Sequence, residues 1–62
     1  MLTYRHRDDV TNARVVIDTP VPLTDAQIER AARIAIRGLA NAHSFATAGS
    51  IPQGRWLVMA FA

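Results

Sequence analysis

The segment Leu-Thr-Asp-Ala-Gln-Ile at residues 23 to 28 constrains the fold of this chain more than any other. Thr24 followed three residues later by Gln27 matches the capping box, in which the threonine hydroxyl accepts from the Gln27 backbone N–H and the glutamine side chain reaches back to the N–H of Thr24. Leu23 and Ile28 flank the cap as a hydrophobic staple. Asp25 and Glu29 in the first turns suit the positive end of the helix dipole. A helix is therefore predicted to start at about residue 25. Spacing residues at about 100° puts Ile28, Ala31, Ala32, Ala35, Ile36, Leu39 and Ala42 on one side, with Arg30, Arg33, Arg37 and Asn41 opposite. Ile34 falls among the arginines. Gly38 costs up to ~1 kcal/mol relative to Ala within a helix, which implies a close backbone contact or an early end; the helix is extended to about residue 42.

The remaining signals are strand signals. Leu2, Tyr4 and His6 alternate with Thr3, Arg5 and Arg7, the period-2 pattern of a half-buried strand. After a turn-rich DDVTN, the run ARVVID alternates again, with Val15 and Ile17 on one face and Arg14, Val16 and Asp18 on the other. Pro20 and Pro22 end it. AHSFATAGSIPQG, with two glycines and a proline, reads as a loop, and GRWLVMAFA as a final strand that is apolar on both faces.

The order is therefore ββαβ, and the expected class is α+β: a small sandwich of one helix on a three-stranded mixed sheet. The helix joins the second and third strands, and a crossover of this kind makes them parallel. Leu57, Met59 and Phe61 are assigned beneath the helix, where large side chains complement its alanines. Trp56, Val58 and Ala60 then share the opposite face with Arg5, Arg7, Arg14 and Val16. That face has no cover within the chain, so dimerisation is expected to complete the fold, as a homodimer paired edge to edge or face to face.

Residues 1–62 are expected to form one small domain. A chain of 62 residues buries only about 60% of the surface its unfolded form exposes. Without cysteines it lacks disulfides and the commonest structural zinc sites, which leaves association as the remaining aid to stability. With 50% hydrophobic and 19% charged residues it is too apolar for a disordered chain. The charged N-terminal stretch MLTYRHRDD and the lack of a membrane-length apolar run point to a cytoplasmic protein. All seven basic residues are arginine, against five acids, for a net charge of +2.

Little in the chain points to catalysis. His6 with Asp8 and Asp9 has no second histidine at ligand spacing, so no metal is expected. His43 and Ser44 are sequence neighbours, which rarely share the hydrogen bond a nucleophile and its base require. Asp18 at a strand end reads as a turn cap. AGSIPQG has too few glycines, and no lysine, for a phosphate-cradling loop. No catalytic residue and no cofactor is assigned, and an enzyme is the weakest class.

VVIDTPVPLTDAQIERA, residues 15 to 31, loosely resembles the strand, loop and capped helix that open small tautomerases of the oxalocrotonate type. That family relies on an N-terminal proline exposed after Met removal. Here position 2 is Leu2, an extra strand precedes the similar region, and LTDAQ is general helix capping. The family's activity is not carried over.

Two basic surfaces remain. Arg30, Arg33, Ile34 and Arg37 mix guanidinium groups with an apolar anchor, as protein interfaces do. They suggest a small non-enzymatic interaction module that binds an acidic protein partner or regulates a complex, in the manner of compact phage and plasmid regulators or inhibitors. Arg5, Arg7, Arg14, Arg55 and Trp56 form the second surface, in which arginines beside an aromatic on a sheet suit nucleic acid.

Overall fold

The computed structural model describes residues 1–62. Its elements are β1 (Leu2–Arg7), β2 (Arg14–Thr19), α1 (Asp25–Leu39), β3 (Ser44–Ile51) and β4 (Gly54–Phe61). The strands make one sheet in the order β1-β2-β4-β3, with every paired neighbour antiparallel. The α+β class stands, but the sheet has four strands instead of three and is not mixed.

The helix begins where its cap dictates. Thr24 Oγ1 accepts from the Gln27 N–H at 3.2 Å, and Gln27 Oε1 accepts from the Thr24 N–H at 2.9 Å. Ala31, Ala32, Ala35 and Leu39 are buried, with Ile28 and Ile36 packed beside them. The helix stops at Leu39, short of residue 42. There the Ala42 N–H donates to the Leu39 carbonyl at 2.7 Å, and Ala40, at φ 47° and ψ −115°, has left helical space. Gly38 serves a close contact, because a Cβ at this position would overlap the ring of Phe45.

The extra strand, β3, lies in the stretch that reads as a loop. It alternates faithfully, with Phe45, Thr47, Gly49 and Ile51 half-buried and Ser44, Ala46, Ala48 and Ser50 exposed. Most of these side chains are small, so the alternation carries little hydrophobic contrast. Pro52 and Gln53 turn the chain from Ile51 to Gly54, its partner in the β3–β4 ladder, with proline at the second turn position, where its fixed φ suits it.

The crossover expectation holds in a different place. β2 and β3, joined by α1, both run antiparallel to β4 and so are parallel to each other. They are not neighbours, because β4 lies between them. The strand at residues 54 to 61, expected to be parallel to β2, is antiparallel to it because the β3–β4 hairpin reverses the chain once more.

The faces of β4 are also reversed from expectation. Val15 and Ile17, essentially inaccessible, pair with Ala60 and Val58, and directly opposed residues project to the same side. Trp56, Val58 and Ala60 are therefore buried beneath the helix, while Leu57 is 40% exposed and Met59 and Phe61 are half-exposed. The indole of Trp56 lies over Gly49, its partner on β3, where a Cβ would collide with it. The alanine stripe of α1 thus covers valine, isoleucine and tryptophan. Burying each Val or Ile side chain contributes about 1.5–3 kcal/mol.

Two polar devices hold the β1 side. Tyr4 projects toward the helix side, and its hydroxyl accepts from the Leu23 N–H at 3.0 Å, tying the proline-bearing loop to the edge strand. In the β1–β2 turn, the Asp8 carboxylate accepts from both the N–H and the hydroxyl of Thr11 at 2.7 Å. Asn12 takes the left-handed conformation there with φ 60°, which asparagine tolerates better than most residues.

Candidate functional site

The 3.6-residue period of α1 gathers Arg30, Arg33, Ile34 and Arg37 on its outer face. With Gly38 they line an open groove of about 360 Å³. Ile34 is 43% exposed and each arginine is exposed. The four partner-binding residues inferred from sequence therefore share one surface. None of the chain's side-chain hydrogen bonds involves an arginine, so these guanidinium groups keep all their donors free.

The second surface is the open face of the sheet. Cross-strand pairing sets it out in rows. Arg7, Arg14, Phe61 and Ser44 form the first row; Arg5, Val16, Met59 and Ala46 the second; Thr3, Asp18, Leu57 and Ala48 the third. A groove of about 490 Å³ at the first-row end is lined by Arg5, Arg7, Arg14, Val16 and Phe61, together with His6 and Val15. Three guanidinium groups and a benzyl ring thus border one hollow.

Two of the nucleic-acid candidates lie elsewhere. Trp56 is buried at 7% exposure under the helix, because it alternates in phase with Val58 and Ala60, which pair with the inward Ile17 and Val15. Arg55 is exposed but six residues along β4 from Phe61, about 20 Å away at strand rise. Phe61 takes the place by the arginines assigned to Trp56. The signal for this was the pairing of β4 with β2, which β4's own two-sided apolar pattern does not reveal.

The residues weighed for catalysis are dispersed. No three of the chain's His, Asp and Glu side chains come together. Asp8 is committed to its turn: the N–H and hydroxyl of Thr11 hold its carboxyl below its ordinary pKa of 3.8, against a small opposing effect of desolvation. Asp18 accepts from the Thr3 hydroxyl at 2.9 Å across the β1–β2 pair. His43 and Ser44 are exposed at the start of β3. No helix is long and apolar enough to cross a membrane.

The chain matches no protein-family model, no curated protein and no solved structure.

Proposed function

We propose that this chain is a small non-enzymatic interaction module that binds an acidic protein surface through Arg30, Arg33, Ile34 and Arg37. It acts in the cytoplasm as a regulator or inhibitor of a complex, in the manner of compact phage and plasmid proteins, and its single domain works as a homodimer. The observation that carries the reading is Ile34, 43% exposed within three guanidinium groups that make no hydrogen bond in their own chain. A purely solvated face gains nothing from an isoleucine there, whereas an interface gains an apolar anchor ringed by bidentate donors. The dimer is supported by the exposed apolar side of the sheet, which no element of the chain covers.

Affinity capture with the chain as bait tests the helix face. Ile34→Glu combined with Arg37→Glu abolishes capture of the acidic partner, and Arg5→Glu combined with Arg7→Glu does not. A partner retained equally by the helix variant removes this face from consideration.

A second reading, nucleic-acid binding, is favoured by the groove in which Arg5, Arg7 and Arg14 flank Phe61. It calls for affinity that falls steeply with salt as phosphate contacts release counterions. Mobility shifts with labelled single- and double-stranded DNA and RNA test it, and no shift at about 50 mM salt removes it.

A further inference from the structure

We propose that the open sheet face is covered by a second copy of this chain, packed face to face about a two-fold axis that runs across the strands beside Val16 and Met59. This rests on the dimer of the proposed function and specifies its geometry. The face is apolar along its middle, with Val16, Leu57, Met59 and Phe61, and nearly flat over β3, where Ala46 and Ala48 project. Pairing through sheet edges leaves this surface in water. Face-to-face packing removes it.

The charges select the second copy and its register. Asp18 is the only acid on this face, since Asp8 and Asp9 lie in the β1–β2 turn and Asp25 and Glu29 lie on the helix. On β2 the outward residues read Arg14, Val16, Asp18. Arg14 and Asp18 are four residues apart on one strand, about 13 Å, too far to pair within the chain. A two-fold axis across the strands at the Val16 row reverses the partner's strand direction. Arg14 then lies over the partner subunit's Asp18, and by symmetry the pair forms twice. The same rotation lays Phe61 over the partner subunit's Leu57 and brings Val16 and Met59 onto their own copies; Arg5, in the same row, also meets its own copy, but on the exposed edge strand β1, where water screens the pair.

Other axes fit less well. A two-fold axis along the strands sets Asp18 against the partner subunit's Leu57, burying a carboxylate without a cation, which is costly. A slip of one pleat separates Arg14 from the partner subunit's Asp18. Aligned sheets about 10 Å apart leave a span that an arginine and an aspartate bridge. Beyond the arginine groove at its first-row end, the face suits a nucleic acid poorly, with the Asp18 carboxylate, exposed Leu57 and half-exposed Met59 in its path. The sheet offers on the order of 400 Å² of plane per copy, from four strands at about 4.8 Å and three residue pairs of depth. That is small for a stable interface, so the dimer is a weak one.

Sedimentation equilibrium from about 1 μM to about 1 mM protein tests the geometry. The wild type passes from monomer to dimer. Arg14→Asp and Asp18→Arg each weaken the dimer by roughly tenfold or more, by opposing like charges; the double variant recovers to within about threefold. A mixture of the two single variants forms a 1:1 dimer. Both substitutions lie on the sheet's outer face, and circular dichroism checks their folding. Should either fail to fold, Val16→Cys replaces the charge exchange: a short bismaleimide links it to its own copy in solution, and the lack of such a link overturns the proposal. A wild type that stays monomeric overturns both the dimer and this geometry. A dimer indifferent to both charge exchanges, or not restored by the double variant, overturns the geometry and leaves the dimer standing, with the uncharged edge of β3 as its route. Loss of mass on adding single-stranded RNA assigns the face to nucleic acid instead.

Discussion

Gly49 lies directly opposite Trp56 in the β3–β4 ladder, and the indole occupies the space a Cβ at residue 49 would take. The missing side chain at residue 49 makes room for the indole on the helix side of the sheet. Gly49→Ala forces the indole outward and is expected to destabilise the chain by about 1–3 kcal/mol. Urea unfolding followed by Trp56 fluorescence measures it, and an unchanged midpoint would show that the indole has room to spare.

Gly38 presents the same situation on the helix. Helix propensity alone makes Gly38→Ala stabilising by up to ~1 kcal/mol. The ring of Phe45 stands where the new methyl group must go, so the substitution is expected to destabilise instead. In a Phe45→Ala background the ring is gone and Gly38→Ala should turn stabilising. Thermal unfolding of the four proteins in this double-mutant cycle reads the change of sign.

Ala40 stands in a turn position that suits glycine. With φ 47° and ψ −115°, and the Ala42 N–H bonded to the Leu39 carbonyl, it is the second residue of a tight turn whose positive φ glycine adopts freely. Strain of this kind costs about 1–3 kcal/mol, against about 0.4–1 kcal/mol for the added freedom of an unfolded glycine. Ala40→Gly is therefore expected to raise stability, by about 1 kcal/mol. A lower melting temperature would contradict it.

Asp8 gives the β1–β2 turn an acid-sensitive latch. Its pKa in the fold lies below 3.8, chiefly through the Thr11 N–H and then the Thr11 hydroxyl. Because the folded value is the lower one, the contribution is fully present above about pH 4 and is lost as pH falls through the folded value. A carbon-detected NMR titration should place the Asp8 midpoint below 3.8, with Thr11 amide protection lost in the same range. In Asp8→Asn that pH dependence disappears.

How much of this was legible depended on how local each signal was. The start of α1 is written within four residues, Thr24 to Gln27, and the structure follows it. The outer Arg and Ile34 face is likewise a property of one helix, so periodicity alone assembled it. β3 was not legible because Ala46, Ala48 and Gly49 carry too little hydrophobic contrast to show their alternation. The orientation of β4 was not legible because both of its faces are apolar. Val15 and Ile17 decide it through pairing more than 40 residues away along the chain. Phe61 reached the arginine groove by that same pairing.

The central position of β4 also sets an order of events during synthesis. β1 and β2 can close as a local hairpin, and α1 can nucleate on its own cap. Both neighbours of β4, β2 and the edge strand β3, nevertheless wait for β4 to be made before they can pair with it. Until residues 54 to 61 leave the ribosome, β3 has no hydrogen-bonding neighbour and the alanine stripe of α1 has no Trp56 or Val58 to rest on. The apolar side of the β1–β2 hairpin and the alanine stripe of α1 therefore stay uncovered until β4 is in place, and the sheet and its core are completed only then.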